Sequence, residues 1–161
     1  FFQKGGTMRK IIHHLKYKGM KEVGYEMGKH FGAAIKQAQH FEEIDLLVPV
    51  PLHKNKLRQR GYNQSYWIAK GMGEIMNKPV ETESIKRNVE TNTQTRKARY
   101  ERWENVEHIF KLKNEQLIRD KHILLVDDVV TTGSTLEACA SALLKAENTK
   151  VSIATLGVAS N

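Results

Sequence analysis

Apolar residues recur along this chain in two rhythms, one helical and one extended, arranged in alternating blocks. From Thr7, placed to cap a helix, Met8, Ile11, Ile12 and Leu15 follow helical spacing, and Gly19 stands where that helix should end. Val23, Met27, Phe31, Ala34, Ile35 and Ala38 then repeat every three or four residues, the stripe of a helix that packs one face on a sheet. The period changes at residues 44–51 (IDLLVPVP), a short, nearly continuous apolar run closed by prolines, which reads as a buried parallel strand entering a rigid turn. Residues 53–60 (HKNKLRQR) are strongly basic and lead through Gly61 into a helical pattern carrying Tyr62, Tyr66, Ile68, Ala69, Met72 and Met76.

A second strand is expected near residues 79–86. Across residues 87–105 the apolar pattern gives way to Thr, Asn, Gln, Arg and Lys, which marks a long exposed loop with a helical turn near 100–103. Loops of that length in compact domains are usually lids, binding loops or disorder. Residues 110–112 read as a third strand, and residues 121–126 (KHILLV) as the clearest buried one. A helix over about 133–145 and a last strand over 150–156 complete the chain. Strands alternating with helices predict an α/β fold, with a mostly parallel sheet flanked by helices. The 161 residues suit one domain, expected to span 1–161.

Composition narrows the function classes. No apolar run approaches the roughly 20 residues of a spanning helix, and no segment has the layout of a secretory leader, so no membrane insertion and a cytoplasmic location are expected. The chain opens on Phe1-Phe2 without methionine, as a fragment, a trimmed chain or an incomplete gene model would. Cys139 is the only cysteine, so neither an internal disulfide nor a multi-cysteine zinc site is expected. The seven histidines show no HExxH spacing. A net charge of +8, from 26 Lys and Arg against 18 Asp and Glu, favours an anionic partner without choosing among nucleotide, phosphate ester, nucleic acid and acidic protein.

The choice comes from residues 123–135 (ILLVDDVVTTGST). In an open α/β sheet ligands bind outside the carboxyl ends of the strands, where Asp127 and Asp128 fall. Two adjacent carboxylates repel, and sugar hydroxyls, Mg2+ or basic residues would offset the repulsion. Thr131, Thr132, Gly133, Ser134 and Thr135 follow at a helix start, where free N–H groups favour a phosphate. Carboxylates beside a phosphate cradle describe a ribose-phosphate site. Ser134-Thr135-Leu136-Glu137 also has the form of a capping box, which would satisfy the same N–H groups without a ligand. That box leaves the two acids and two threonines before it unexplained. A receiver domain, which also ends a strand in Asp-Asp, is disfavoured because no aspartate follows Asp128. A P-loop is disfavoured because the lysine of GxxxxGK[ST] is missing.

Residues 124–135 (LLVDDVVTTGST) resemble the signature with which type I phosphoribosyltransferases bind 5-phosphoribosyl-1-pyrophosphate (PRPP). Residues 15–19 (LKYKG), 48–53 (VPVPLH), 60–64 (RGYNQ), 91–102 with Gln94, and Asn105-Val106 are similar to the ComF family within that fold. The resemblance implies transfer of the phosphoribosyl group to an unidentified acceptor, release of pyrophosphate, and Mg2+ carried on PRPP with Asp127 as candidate protein ligand. It implies that Asp127 and Asp128 bind the ribose hydroxyls, Asp128 being the residue whose loss should abolish turnover. Val129, Thr131, Thr132, Gly133, Ser134 and Thr135 complete the PRPP site. The turn at Leu52 and His53 matches the pyrophosphate loop in position, with Lys54 and Arg60 as neutralising cations. Gln94, Arg96 and Arg99 would close from the hood loop and exclude water from a cationic transition state.

The family is associated with DNA uptake, so single-stranded DNA or a protein of the competence machinery is an expected partner, and many proteins of this fold are homodimers. Its pattern carries an N-terminal four-cysteine zinc segment that residues 1–161 do not contain. An active transferase, a PRPP sensor without turnover and a DNA-binding accessory protein all remain open at this point.

Overall fold

A computed structural model of the chain describes residues 7–37, 42–89 and 109–159. Within them, α1 (Thr7–Tyr17) and α2 (Lys21–Lys36) precede β1 (Leu46–Pro49), α3 (Lys54–Arg60) and α4 (Gln64–Met76). A hairpin of β2 (Ile85–Arg87) and β3 (Phe110–Leu112) follows, then β4 (His122–Val130), α5 (Ser134–Leu143) and β5 (Lys150–Val158). Thr7, expected as a cap, is the first helical residue instead.

The sheet is parallel in the order β1-β4-β5, with Leu46 opposite Ile123 and His122 opposite Lys150. Val80 adds a parallel bridge to Leu47 on the outer side of β1. Because side chains alternate along a strand, the runs in β1 and β4 feed two cores. Leu46, Val48, Ile123 and Leu125 pack with Leu136, Cys139 and Leu143 of α5 and with Ile85 and Phe110 of the hairpin. Leu47, Leu124 and Val126 pack with Leu15, Ile35, Ile68 and Met72 of α1, α2 and α4. Burial on both faces is why these strands read as continuous apolar runs.

Three further expectations are corrected. The strand expected at 79–86 divides in two: Val80 bridges β1, while residues 85–87 turn away to pair antiparallel with 110–112, so neither β2 nor β3 belongs to the parallel sheet. The turn between is held by Glu81, whose carboxylate accepts from Ser84 N at 2.9 Å. Next, β4 runs four residues past Val126, because β5 keeps pairing with it as far as Val130 opposite Val158.

The third correction concerns α2. Its buried positions are Gly24, Gly28, Gly32 and Ile35, while Val23, Met27 and Phe31 are only half-buried and Ala34 is exposed. The glycines let α2 close on α4 rather than on the sheet. A Cβ at Gly28 would stand 2.1 Å from the Ile68 carbonyl oxygen, and one at Gly71 would stand 2.0 Å from that of Tyr25. Apolar periodicity overlooked this face because glycine carries no hydrophobic signal.

Gly28→Ala therefore drives a methyl group into backbone that no side-chain rotation can clear, and should destabilise the fold by about 3 kcal/mol in urea unfolding. Ala34→Gly, at an exposed position of the same helix, should cost about 1 kcal/mol.

Candidate functional site

The site is built where β4 ends. Asp127 and Asp128 lie inside the strand, not beyond it, and are 9% and 2% exposed. Alternation places Asp127 on the side of Leu125 and Asp128 on the side of Val126. Asp127 Oδ1 accepts from Ser65 Oγ at 2.8 Å and from Asp128 N at 2.9 Å. Asp128 Oδ1 accepts from Val129 N at 2.9 Å, and Lys16 Nζ lies 2.7 Å from Asp128 Oδ2.

Burial, and then the charge of Asp128, push the Asp127 carboxyl up to about 6. The Ser65 hydroxyl, the Asp128 N–H and Lys16 offset part of that rise. Arg87 at the end of β2 sits in the same field: burial lowers its guanidinium, and Asp127 pulls it back up. Its guanidinium also lies over the Phe110 ring at 5.3 Å. Cys139 is buried in the core, and desolvation first among causes raises its thiol well above the ordinary value, so it is no nucleophile.

After Val130 the chain bends through Thr131 and Thr132, both exposed, to Gly133 at φ +82. A left-handed residue at this point favours glycine, and Gly133 is the N-cap of α5, with no side chain hydrogen-bonded as a cap. The capping box is therefore not formed. Ser134 lies inside the helix and its hydroxyl meets Thr132 Oγ1 at 2.8 Å, while Ser134 N reaches the same oxygen only at 3.4 Å. Thr135 is half-buried. What remains is a helix start without a side-chain cap from its N-cap residue, a place that favours an anion, next to two carboxylates suited to hydroxyl donors.

The turn after β1 reaches the same edge, since Val50 N donates to Val126 O at 2.9 Å. There His53 is buried and caps α3, its Nδ1 accepting from Asn55 N at 3.4 Å. Leu52 is half-buried and Lys54 exposed. Arg60 donates to Gln64 Oε1 and lies over the Tyr17 ring at 5.8 Å, so it braces α1 against α4. Gln94, Arg96 and Arg99 lie outside the described residues.

Three contributors were missed in the sequence: Lys16, Ser65 and Arg87. Lys16 has the look of a cation complementing the end of a helix dipole. Ser65 follows a good N-cap, Asn63, whose Oδ1 accepts from Ser65 N at 3.0 Å and whose Nδ2 donates to Val50 O at 3.0 Å. Arg87 read as the first residue of the loop. Among the described residues no group of three or more His, Cys, Asp or Glu is placed to hold a metal, and no helix is long and apolar enough to cross a membrane.

The family model for the phosphoribosyl transferase domain matches residues 76–158. Competence protein ComFC of Bacillus subtilis (strain 168) is 32% identical over 141 residues, covering 86% of this chain and 54% of that protein. DNA utilization protein YhgH of Escherichia coli (strain K12) is 29% identical over 138 residues, covering 84% of this chain and 60% of the relative. The chain thus spans no more than about 60% of the length of either. Among solved structures, adenine phosphoribosyltransferase from Saccharomyces cerevisiae superposes with a TM-score of 0.51 at 12% identity, covering 88% of this chain and 69% of that one. That likeness is one of fold.

The raised Asp127 carboxyl fixes the sign of a pH effect. With its folded value near 6 and its unfolded value near 3.8, the folded state holds the proton more tightly, so this group's contribution to stability falls as pH rises from about 4 to 6. Asp127→Asn should thus be more stable than the parent at pH 8, by about 3 kcal/mol at most, and the gap should close below pH 4. Differential scanning calorimetry across that range checks it.

Proposed function

The chain belongs to the phosphoribosyl transferase domain family, and on that premise we propose that it binds PRPP at the end of β4 and transfers the phosphoribosyl group to an acceptor, releasing pyrophosphate. The fold is the α/β fold of type I phosphoribosyltransferases, and the relatives bear out the resemblance to the ComF family. One observation carries the reading: two buried carboxylates stand three residues before a pair of threonines and a left-handed glycine that opens an uncapped helix.

In this reading Asp127 and Asp128 accept hydrogen bonds from the ribose hydroxyls. The α5 start, with Thr131, Thr132, Gly133, Ser134 and Thr135, holds the 5-phosphate, and Val129 leads the chain from one to the other. Leu52, His53 and Lys54 border the leaving pyrophosphate. Arg60, engaged with Gln64 and Tyr17, serves it by holding α1 and α4 in place. Gln94, Arg96 and Arg99 would close over it. As the anomeric C–O bond breaks, positive charge grows on the ribose, and fixed carboxylates stabilise it without reorganising.

Mg2+ fits these donors as an ion that arrives on its substrate. It commonly uses one or two carboxylates plus phosphate oxygens, and Asp127 is the carboxylate that would hold it. When bound it supplies neutralisation of the pyrophosphate charge.

Calorimetric titration with PRPP and Mg2+ tests the reading. The parent should bind, and Asp128→Asn should weaken binding by about tenfold or more. Equal affinity would reject the site. Binding with no pyrophosphate released across a panel of amines and bases would identify a sensor.

A second reading, binding of single-stranded DNA, is favoured by aromatic rings set among cations. Lys21 and Lys70 lie 5.0 and 4.8 Å from the Trp67 ring, and Tyr17 is 69% exposed beneath Arg60. Relatives named for competence and DNA utilization agree with it. Affinity for an oligonucleotide should then fall steeply as salt rises, and a flat response excludes it.

A further inference from the structure

Asp128 is almost sealed from water, and the cation that meets it comes from the far end of the chain. Lys16, in the last turn of α1, brings Nζ to 2.7 Å from Asp128 Oδ2. The approach lies off the axis of a hydrogen bond, so the contact is an ion pair rather than a directed bond. The lysine side chain is only 27% exposed, which separates this pair from the solvated ones at the surface.

Leu15, the residue before Lys16, is pinned. Leu15 is fully buried and lies so close to α2 that a Cβ at Gly24 would stand 2.8 Å from its Cδ1. The Tyr62 hydroxyl donates to the Leu15 carbonyl oxygen, and Arg60 lies over the Tyr17 ring. The end of α1 is thus clamped by packing, by a hydrogen bond and by a stacked cation, and its lysine is delivered to one carboxylate.

We propose that Lys16 is a positioning residue of the ligand site: from α1 it balances the charge of the Asp128 carboxylate and holds it in place for the hydroxyl donor that this acid accepts. The inference rests on the PRPP reading of the site. It makes α1 part of a site whose family match begins only at Met76. Lys16 acts through Asp128 and does not touch the substrate. Its aliphatic stem fills space that methionine can also fill, so the charge can be removed with little loss of packing.

The experiment compares the parent with Lys16→Met, Lys16→Arg, Asp128→Asn and the double variant Lys16→Met/Asp128→Asn. Each is titrated with PRPP and Mg2+ by calorimetry and unfolded in urea without ligand. Lys16→Met should raise Kd by about ten- to a hundredfold, Lys16→Arg should restore most of it, and Lys16→Met should add little once Asp128 is Asn. Affinity in Lys16→Met equal to or tighter than the parent overturns the proposal, because Lys16 would then compete with the ligand for Asp128. A loss that persists in full beside Asp128→Asn also overturns it, since Lys16 would then act on the ligand itself. If the parent fails to bind PRPP, the PRPP reading fails, and the unfolding cycle decides on the pair. Non-additive midpoints sustain Lys16 as the residue that holds Asp128, and additive ones overturn it.

Discussion

Two carboxyl groups on consecutive residues, both nearly sealed from water, are the constraint around which this molecule is arranged. Burying one charge beside another of the same sign is costly, and the cost falls only if donors and cations are brought to the pair. Asp127 receives a hydroxyl from α4 and its neighbour's N–H, and lies in the field of Arg87 from the hairpin. Asp128 receives Lys16 from α1. Every layer around the sheet sends something to this one place, and Asp127 still keeps its proton to an unusually high pH. A pair held at such a cost is more naturally explained by a ligand than by stability, since buried ion pairs are weak contributors to folding.

The glycine seam between α2 and α4 serves the same point at a distance. Ser65 reaches Asp127 because α4 starts beside the turn after β1, with Asn63 bridging Val50 O and Ser65 N. The direction of α4 from that start is set by its contact with α2, where Gly28 and Gly71 allow backbone to meet backbone. A bulkier seam would push α4 outward and move α2, whose Gly24 receives Leu15, together with the clamp that delivers Lys16. The helical layer therefore holds both acids through one set of close contacts.

Much of this was legible in the sequence, for identifiable reasons. Residues 44–51 and 121–126 announced themselves because burial on both faces leaves no polar position to break an apolar run. The acidic pair and the threonine-glycine segment were legible because their chemistry is local, contained in one strand, one turn and one helix start. The choice between capping box and open helix start was not, since it depends on whether Gly133 or Ser134 takes the cap position, which is a matter of φ. The end of β4 was missed because aspartates end a hydrophobic pattern, whereas the strand is continued by backbone pairing with β5. The α2 face was missed because its information is carried by the absence of side chains.

The least legible feature is the division of labour along the chain. Residues 76–158, where the family model matches, contain both acids, the cradle and Arg87. Lys16, Ser65 and Asn63 lie before it, and Ser65 is separated in sequence from Asp127 by 62 residues. A segment whose chemistry is local can be recognised from its order of residues alone. Groups that compensate buried charge need only arrive in space, so helices far away in sequence can supply them. The consequence is physical: residues 76–158 alone would keep the acids, the cradle and Arg87 but would lack Lys16 and the Ser65 hydroxyl. In this fold the helices ahead of the matched segment are therefore part of the site's electrostatics, not a separate covering for the sheet.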